Sequence, residues 1–131
     1  FILNAKSIIL IVDSDQTSTL LLKEVLLMVL PNAYDYQILS APHGKEAINL
    51  CRRKKPEMVF TEIRLKDIDG YQVTKEIKAS NPDILVIIQT ATVSDYFKQT
   101  AFEAGCDGFI SKPLDINELD TLLRTLLRTS S

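Results

Sequence analysis

Apolar residues run along this chain in two rhythms. In five places they stand side by side: "SIILIVD" (7–13), "YQILSA" (36–41), "EMVFTE" (57–62), "ILVIIQT" (84–90) and "GFISK" (108–112). Short runs of this kind predict strands, and three of the five are almost unbroken, as parallel strands covered on both faces require. Between them the spacing changes to three and four, which predicts helices. The first runs from about Thr17 to Leu30 and is halted by Pro31. The second runs from Gly44 to about Lys54, ahead of Pro56, and the third from after Asp69-Gly70 to near Ser80, ahead of Asn81-Pro82. A fourth begins at Ser94, a good N-cap, and stops at Gly105, a good residue to follow a helix. The last opens with Asp115 and Glu118 as a capping-box-like pair and carries Leu119, Leu122, Leu123, Leu126 and Leu127 on one face. Arg124 and Arg128 stand toward its C-terminal end, where cations are favoured.

Strand–helix alternation with short connections predicts right-handed crossovers and a doubly wound parallel sheet, an α/β fold. No internal repeat, low-complexity stretch or linker interrupts it, so residues 1–131 are read as one domain with a core at about 7–128. The first helix does not suit a one-sided packing face, because "VLLMVL" (25–30) is apolar almost all round. A helix of that kind is ordinarily buried, either by its own chain or by another subunit or domain.

Composition narrows the field. Charged residues are 24% and hydrophobic residues 46%, an ordinary globular balance, and a net charge of −2 gives no electrostatic case for nucleic acid or an anionic membrane. The one basic run, Arg52-Arg53-Lys54-Lys55, falls at the end of the second helix, where the macrodipole favours it. Cys51 and Cys106 are widely spaced and outside any metal-ligand pattern, so they are read as buried hydrophobes in a reducing compartment. His43 precedes Gly44 in an apparent turn and is expected to be exposed. "LLLKEVLLMVL" (20–30) is too short and too charged to span a bilayer. With no signal peptide and no starting methionine, the chain suits a piece of a longer protein.

In an open α/β sheet, sites form beyond the carboxyl ends of the strands. Those ends carry Asp13, Ser14 and Asp15 after strand one, Glu62 on strand three, Thr90 on strand four, and Lys112 followed by Pro113 after strand five. Carboxylates sharing one dry corner repel, so the cluster calls for a cation, and hard oxygen ligands favour Mg²⁺. A threonine hydroxyl and a lysine opposite them suit the oxygens of a phosphoryl group. Taken singly, Asp15 reads equally well as a helix N-cap and Lys-Pro as a turn. Four strand ends offering complementary groups carry more weight than any one of them.

These residues resemble the receiver domain of two-component response regulators, over about residues 7–128. The resemblance implies a flavodoxin-like (βα)5 receiver fold with strand order 2-1-3-4-5. It places Val12-Asp13-Ser14-Asp15 where the family has adjacent acids and Glu62 where it has the phosphoaccepting aspartate, with Gly70 of the Asp69-Gly70 pair eight positions on. Thr90, Phe109 and Lys112 match the residues that sense the phosphoryl group and switch, while Asp13, Glu62 and the Arg64 backbone carbonyl match the metal ligands. Arg64 itself is common in the family at that position.

Three positions depart from the pattern. Glu62 replaces aspartate, carrying the carboxylate up to about 1.5 Å further, and a misplacement of about 1 Å can cost in-line transfer on the order of 100-fold. Ser14 replaces an acidic metal ligand, which weakens Mg²⁺ binding unless Asp15 takes its place. Lys66 stands where a proline is usual, so the loop is free to take another path.

The expectation is therefore an atypical, phosphorylation-independent receiver with no required cofactor and weak or absent Mg²⁺. Glu62 would reach toward Lys112 and Thr90, either imitating a phosphoryl group or locking one inert state. The module would act by partner binding rather than turnover, through the face of the fourth helix, fifth strand and fifth helix. Its partner would be a histidine kinase, an output domain, another receiver or a second copy of itself, in a bacterial cytoplasm, with no direct contact to nucleic acid or membrane. One alternative is an ordinary Mg²⁺-dependent phosphoacceptor. Another is a flavodoxin-like ligand binder, disfavoured because "DSDQTS" (13–18) is acidic and polar where a glycine-rich phosphate loop would stand.

Overall fold

In a computed structural model, the apolar runs pair into a single parallel sheet of five strands in the order β2-β1-β3-β4-β5. The structure describes residues 6–92 and 94–129, with side-chain surroundings as far as residue 127, so the surroundings of Arg128 lie outside the described residues. The strands are β1 (Ser7–Val12), β2 (Tyr36–Ala41), β3 (Met58–Glu62), β4 (Leu85–Thr90) and β5 (Gly108–Ser111). The helices are α1 (Gln16–Val29), α2 (Gly44–Lys54), α3 (Gly70–Ser80), α4 (Asp95–Glu103) and α5 (Ile116–Thr129). A short 3-10 turn at Ala33–Asp35, which no apolar periodicity announces, joins α1 to β2.

Burial follows the two rhythms. The central strands β1, β3 and β4 are covered on both faces, whereas β2 at one edge is half exposed and β5 at the other alternates. One core layer joins Ile9, Ile11, Phe60 and Ile87 of the sheet to Leu22 and Leu26 of α1 and Leu119 and Leu123 of α5. The other joins Leu10, Val12, Val59 and Val86 to Ala47, Ile48 and Cys51 of α2 and Val73 and Ile77 of α3. Both cysteines are free and buried, and burial pushes each thiol up to about 11. His43 is exposed.

Helix ends conform where the signal is local. The Ser94 hydroxyl accepts from the Phe97 N–H, Asp69 accepts from the Gln72 N–H, and Gly105 takes φ 106 after α4. The capping box of α5 forms by halves. Asp115 accepts from the Asn117 and Glu118 N–H groups, but the Glu118 carboxylate accepts from the Ser111 N–H (2.8 Å) at the end of β5. β5 is an edge strand with a neighbour on one side only, and on the open side a carboxylate within reach satisfies this N–H.

Of the two ways of covering the first helix, its own chain supplies only part. Leu22, Val25 and Leu26 are buried, yet Leu20, Leu21, Leu27 and Met28 are 45–70% exposed, so this chain covers one side of α1 and leaves the other open.

Candidate functional site

The carboxyl ends of β1, β3, β4 and β5 meet at one cleft of about 460 Å3, lined by Asp13, Ser14, Asp15, Glu62, Thr90 and Lys112 among others. Parallel strands all point their C-terminal ends to the same edge, and the crossover between β1 and β3 opens the crevice there.

Lys112 holds the centre. Its Nζ lies 2.7 Å from Asp13 Oδ2 and 2.8 Å from Glu62 Oε2, one ammonium bridging two carboxylates. Backbone donors satisfy the other oxygens: Asp13 Oδ1 accepts from the Asp15 N–H (2.9 Å), and Glu62 Oε1 from the Ile63 N–H (2.9 Å) and, at 3.5 Å, the Arg64 N–H. The three side chains are mostly buried, with Asp13 8%, Glu62 13% and Lys112 18% exposed. Burial pulls the Lys112 ammonium down, but the hydrogen bonds to Asp13 and Glu62 outweigh it, and its pKa lies above the ordinary lysine value. The Lys112–Pro113 peptide bond is cis.

Thr90, buried at the end of β4, does not share this bridge. Its Oγ1 accepts from the Thr92 N–H (3.3 Å), and among the described residues no hydrogen bond joins it to Glu62. Phe109 is half-buried, packed against the cluster of Ile63, Ile88, Ala101 and Cys106. Ser14 is exposed at the mouth of the cleft.

Asp15 is engaged as the N-cap of α1. Its Oδ1 accepts from the Thr17 N–H (2.9 Å) and, at 3.5 Å, the Ser18 N–H, while Oδ2 accepts from the Ser18 hydroxyl. The bond from Thr17, then those from Ser18, hold its carboxyl below the usual carboxylate range. The expected metal set of Asp13, Glu62 and the Arg64 carbonyl keeps two carboxylates, and both already serve a lysine. Among the described residues no three His, Cys, Asp or Glu side chains come together to hold a metal ion.

The loop between β3 and α3 explains the eight-residue spacing from Glu62 to Gly70. The Gly70 N–H donates to the Ile63 carbonyl oxygen (2.8 Å), and a Cβ at Gly70 would collide with the Glu62 carbonyl oxygen. Glycine is needed because α3 starts directly on the backbone that carries Glu62. Arg64 and Lys66 are exposed. Sequence reasoning missed Asp67, whose carboxylate accepts from the Gly44 and Lys45 N–H groups (2.9 Å each) and so caps α2 from the neighbouring loop. The signal was present: His43 is a poor cap, so the start of α2 needed an acceptor from elsewhere. The bond from Lys45, followed by that from Gly44, sets the Asp67 carboxyl far below the usual carboxylate range.

Known proteins share this fold. The family model of the response regulator receiver domain matches residues 9–124. The "Probable transcriptional regulator ycf27" of Guillardia theta is 31% identical over 129 residues, covering 98% of this chain and 48% of that protein. "Transcriptional regulatory protein ZraR" of Salmonella typhimurium is 34% identical over 122 residues, covering 92% of this chain and 26% of that protein. The chain thus spans about half the length of the first relative and about a quarter of the second. Among solved structures, a two-component response regulator from Clostridium difficile superposes with a TM-score of 0.84 at 27% identity, covering 96% of this chain and 99% of that one. A LuxR-family response regulator from Aurantimonas sp. SI85-9A1 gives 0.82 at 25% identity, covering 95% and 86%. With the family matched over most of its length and the strand order as the family has it, the chain belongs to the response regulator receiver domains of two-component systems.

Proposed function

We propose that this receiver signals without being phosphorylated, with Glu62 acting as a fixed carboxylate that holds Lys112. The observation that carries the reading is the bridge itself, with Lys112 Nζ 2.7 Å from Asp13 and 2.8 Å from Glu62. A phosphoryl group entering here would have to displace Glu62 from the Lys112 ammonium, which Asp13 already shares. The longer glutamate supports the same reading, since in-line transfer is sensitive to position. Ser14 removes one anionic ligand and Asp15 is engaged as a cap, so Mg²⁺ would bind weakly or not at all.

Between imitation and lock, the geometry favours the lock. A group standing in for phosphate would engage both Lys112 and Thr90, whereas Glu62 takes the lysine and Thr90 is turned to the Thr92 N–H. The module then acts by binding rather than turnover, presenting α4, β5 and α5 to a protein partner: a histidine kinase, an output domain, another receiver or a second copy. Among the described residues no helix is long and apolar enough to cross a membrane, and we place the module in the cytoplasm with no direct role in binding nucleic acid.

The test is intact-mass spectrometry of the folded protein after incubation with Mg²⁺ and a small acyl phosphate. No phosphoryl adduct is expected, and a stoichiometric, hydroxylamine-sensitive adduct would overturn the reading. A Glu62→Ala variant should also shift the NMR resonances of Phe109 and α5. Unchanged resonances there would disconnect Glu62 from the output face.

A further inference from the structure

The opposite edge of the sheet, where the strands begin, carries a second concavity with chemistry of its own. The C-terminal turns of α2 and α3 flank a cavity of about 240 Å3. Its floor is the buried Ile48, Cys51, Ile77 and Ile84; the exposed Arg52 and Lys55 stand on its α2 rim, and the half-buried Glu76 on its α3 side is the one acid of the lining, so the cations outnumber it. Arg53 and Lys54 extend the positive charge over the surface beside it. Among the described residues none of these four cations makes a salt bridge.

Part of this has a plain cause. Arg52, Arg53 and Lys54 occupy the last turn of α2, where the helix dipole favours cations. Lys55 lies beyond that explanation. It is the C-cap, held in the left-handed conformation at φ 48 and ψ 65, the one non-glycine with positive φ among the described residues. Glycine or asparagine takes that conformation readily and other residues take it at a cost. A residue kept there against its preference points to a use for its side chain. Here that side chain lines the cavity.

We propose that this cavity docks an acidic segment of a protein partner, which inserts one bulky aliphatic side chain between α2 and α3 while its carboxylates pair with Arg52, Lys55 and the rest of the basic run. The dimensions select this occupant. At about 240 Å3 the cavity is smaller than the roughly 300–1,000 Å3 of sites that enclose a whole small ligand. The charge, by contrast, spreads well beyond it, which suits a segment longer than the cavity. An apolar anchor in a pocket surrounded by charged pairs is also how a few residues come to carry most of a binding energy. In a chain of net charge −2, four unpaired cations in a row are a local feature, not part of a generally basic surface. The site lies away from Glu62, so it stands or falls independently of the lock.

The probe is a fluorescein-labelled peptide, Glu-Asp-Glu-Leu-Glu-Asp-Glu, followed by anisotropy at low salt, beside a second peptide with glycine in place of leucine. The leucine peptide should bind saturably and slow alkylation of Cys51, and the glycine peptide should bind at least about tenfold more weakly. Arg52→Ala and Lys55→Gly should each weaken the leucine peptide by a similar factor. Lys55→Gly should do so with its melting temperature unchanged or raised, because glycine accepts the left-handed turn. A purely structural Lys55 would not give that combination. Equal binding of the two peptides would reduce the site to a charge patch and overturn the proposal. Undiminished binding to Lys55→Gly, or no saturable binding of the leucine peptide, would overturn it as well. Hexanoate occupying the cavity where the peptide does not would assign it to a small amphipathic anion instead.

Discussion

Replacing Lys112 with methionine keeps the length of the side chain and removes the ammonium that separates Asp13 from Glu62. Two carboxylates, 8% and 13% exposed, would then face each other across the vacated position. Removing one partner from a buried ion pair costs about 3–5 kcal/mol. Each carboxylate keeps a backbone donor, from Asp15 and Ile63, and some solvent reaches the site, so we expect about 3 kcal/mol, the low end of that range. With a urea m-value of about 1.5 kcal/mol/M, the midpoint should fall by about 2 M, read by circular dichroism. The pH dependence has a definite sign. Because the Lys112 pKa is raised in the folded protein, its contribution is fully present below the ordinary lysine value of 10.5 and is lost as pH rises through the folded value. The gap between wild type and variant should therefore hold from neutral pH to about 10 and close above it. A midpoint change below about 0.3 M at neutral pH would show that the bridge does not stabilise the fold, and the lock would lose its physical basis.

Two further outcomes follow from the loop that positions Glu62. Gly70→Ala forces a methyl group against the Glu62 carbonyl and should cost about 1–3 kcal/mol, seen as a lowered melting temperature; an unchanged melt would mean the α3 start relaxes freely. Asp67→Ala removes the acceptor for the Gly44 and Lys45 N–H groups and should cost about 1 kcal/mol, as loss of a helix cap does. The Asp67 pKa is depressed, so this contribution is present above the ordinary value of 3.8 and is lost as pH falls through the folded value. The Asp67→Ala deficit should thus be flat from pH 7 to about 5 and shrink below about 4; a deficit that persists undiminished in stronger acid would assign the effect to something other than the carboxylate.

Local sequence encodes whatever a few neighbouring residues can specify. The period of the apolar runs, with the breakers between them, marked the five strands and the five α-helices to within about two residues but not the 3-10 turn, and near-unbroken burial in β1, β3 and β4 was legible because a strand covered on both faces tolerates no polar alternation. Ser94, Asp115 and Gly105 announced helix ends because caps act within one turn. The strand-end residues of the cleft could be named because parallel strands must deliver their ends to one edge.

How those residues pair depends on long-range packing. Lys112 reaches Asp13 across 99 positions of chain, and Asp67 caps a helix that begins 23 positions earlier. Such contacts depend on sheet order, register and the path of a loop, none of which is written in any local window. The same holds for Glu118, which takes the N–H of Ser111 rather than that of its own helix start because β5 lies at the edge of the sheet beside α5. It holds for α1 too, whose apolar residues are alike in sequence and are sorted into buried and open sides by the sheet and α5 packed against one of them. Local free energies choose the elements; the long-range packing of the sheet chooses which charged groups meet, and in this protein it sets one lysine between two acids.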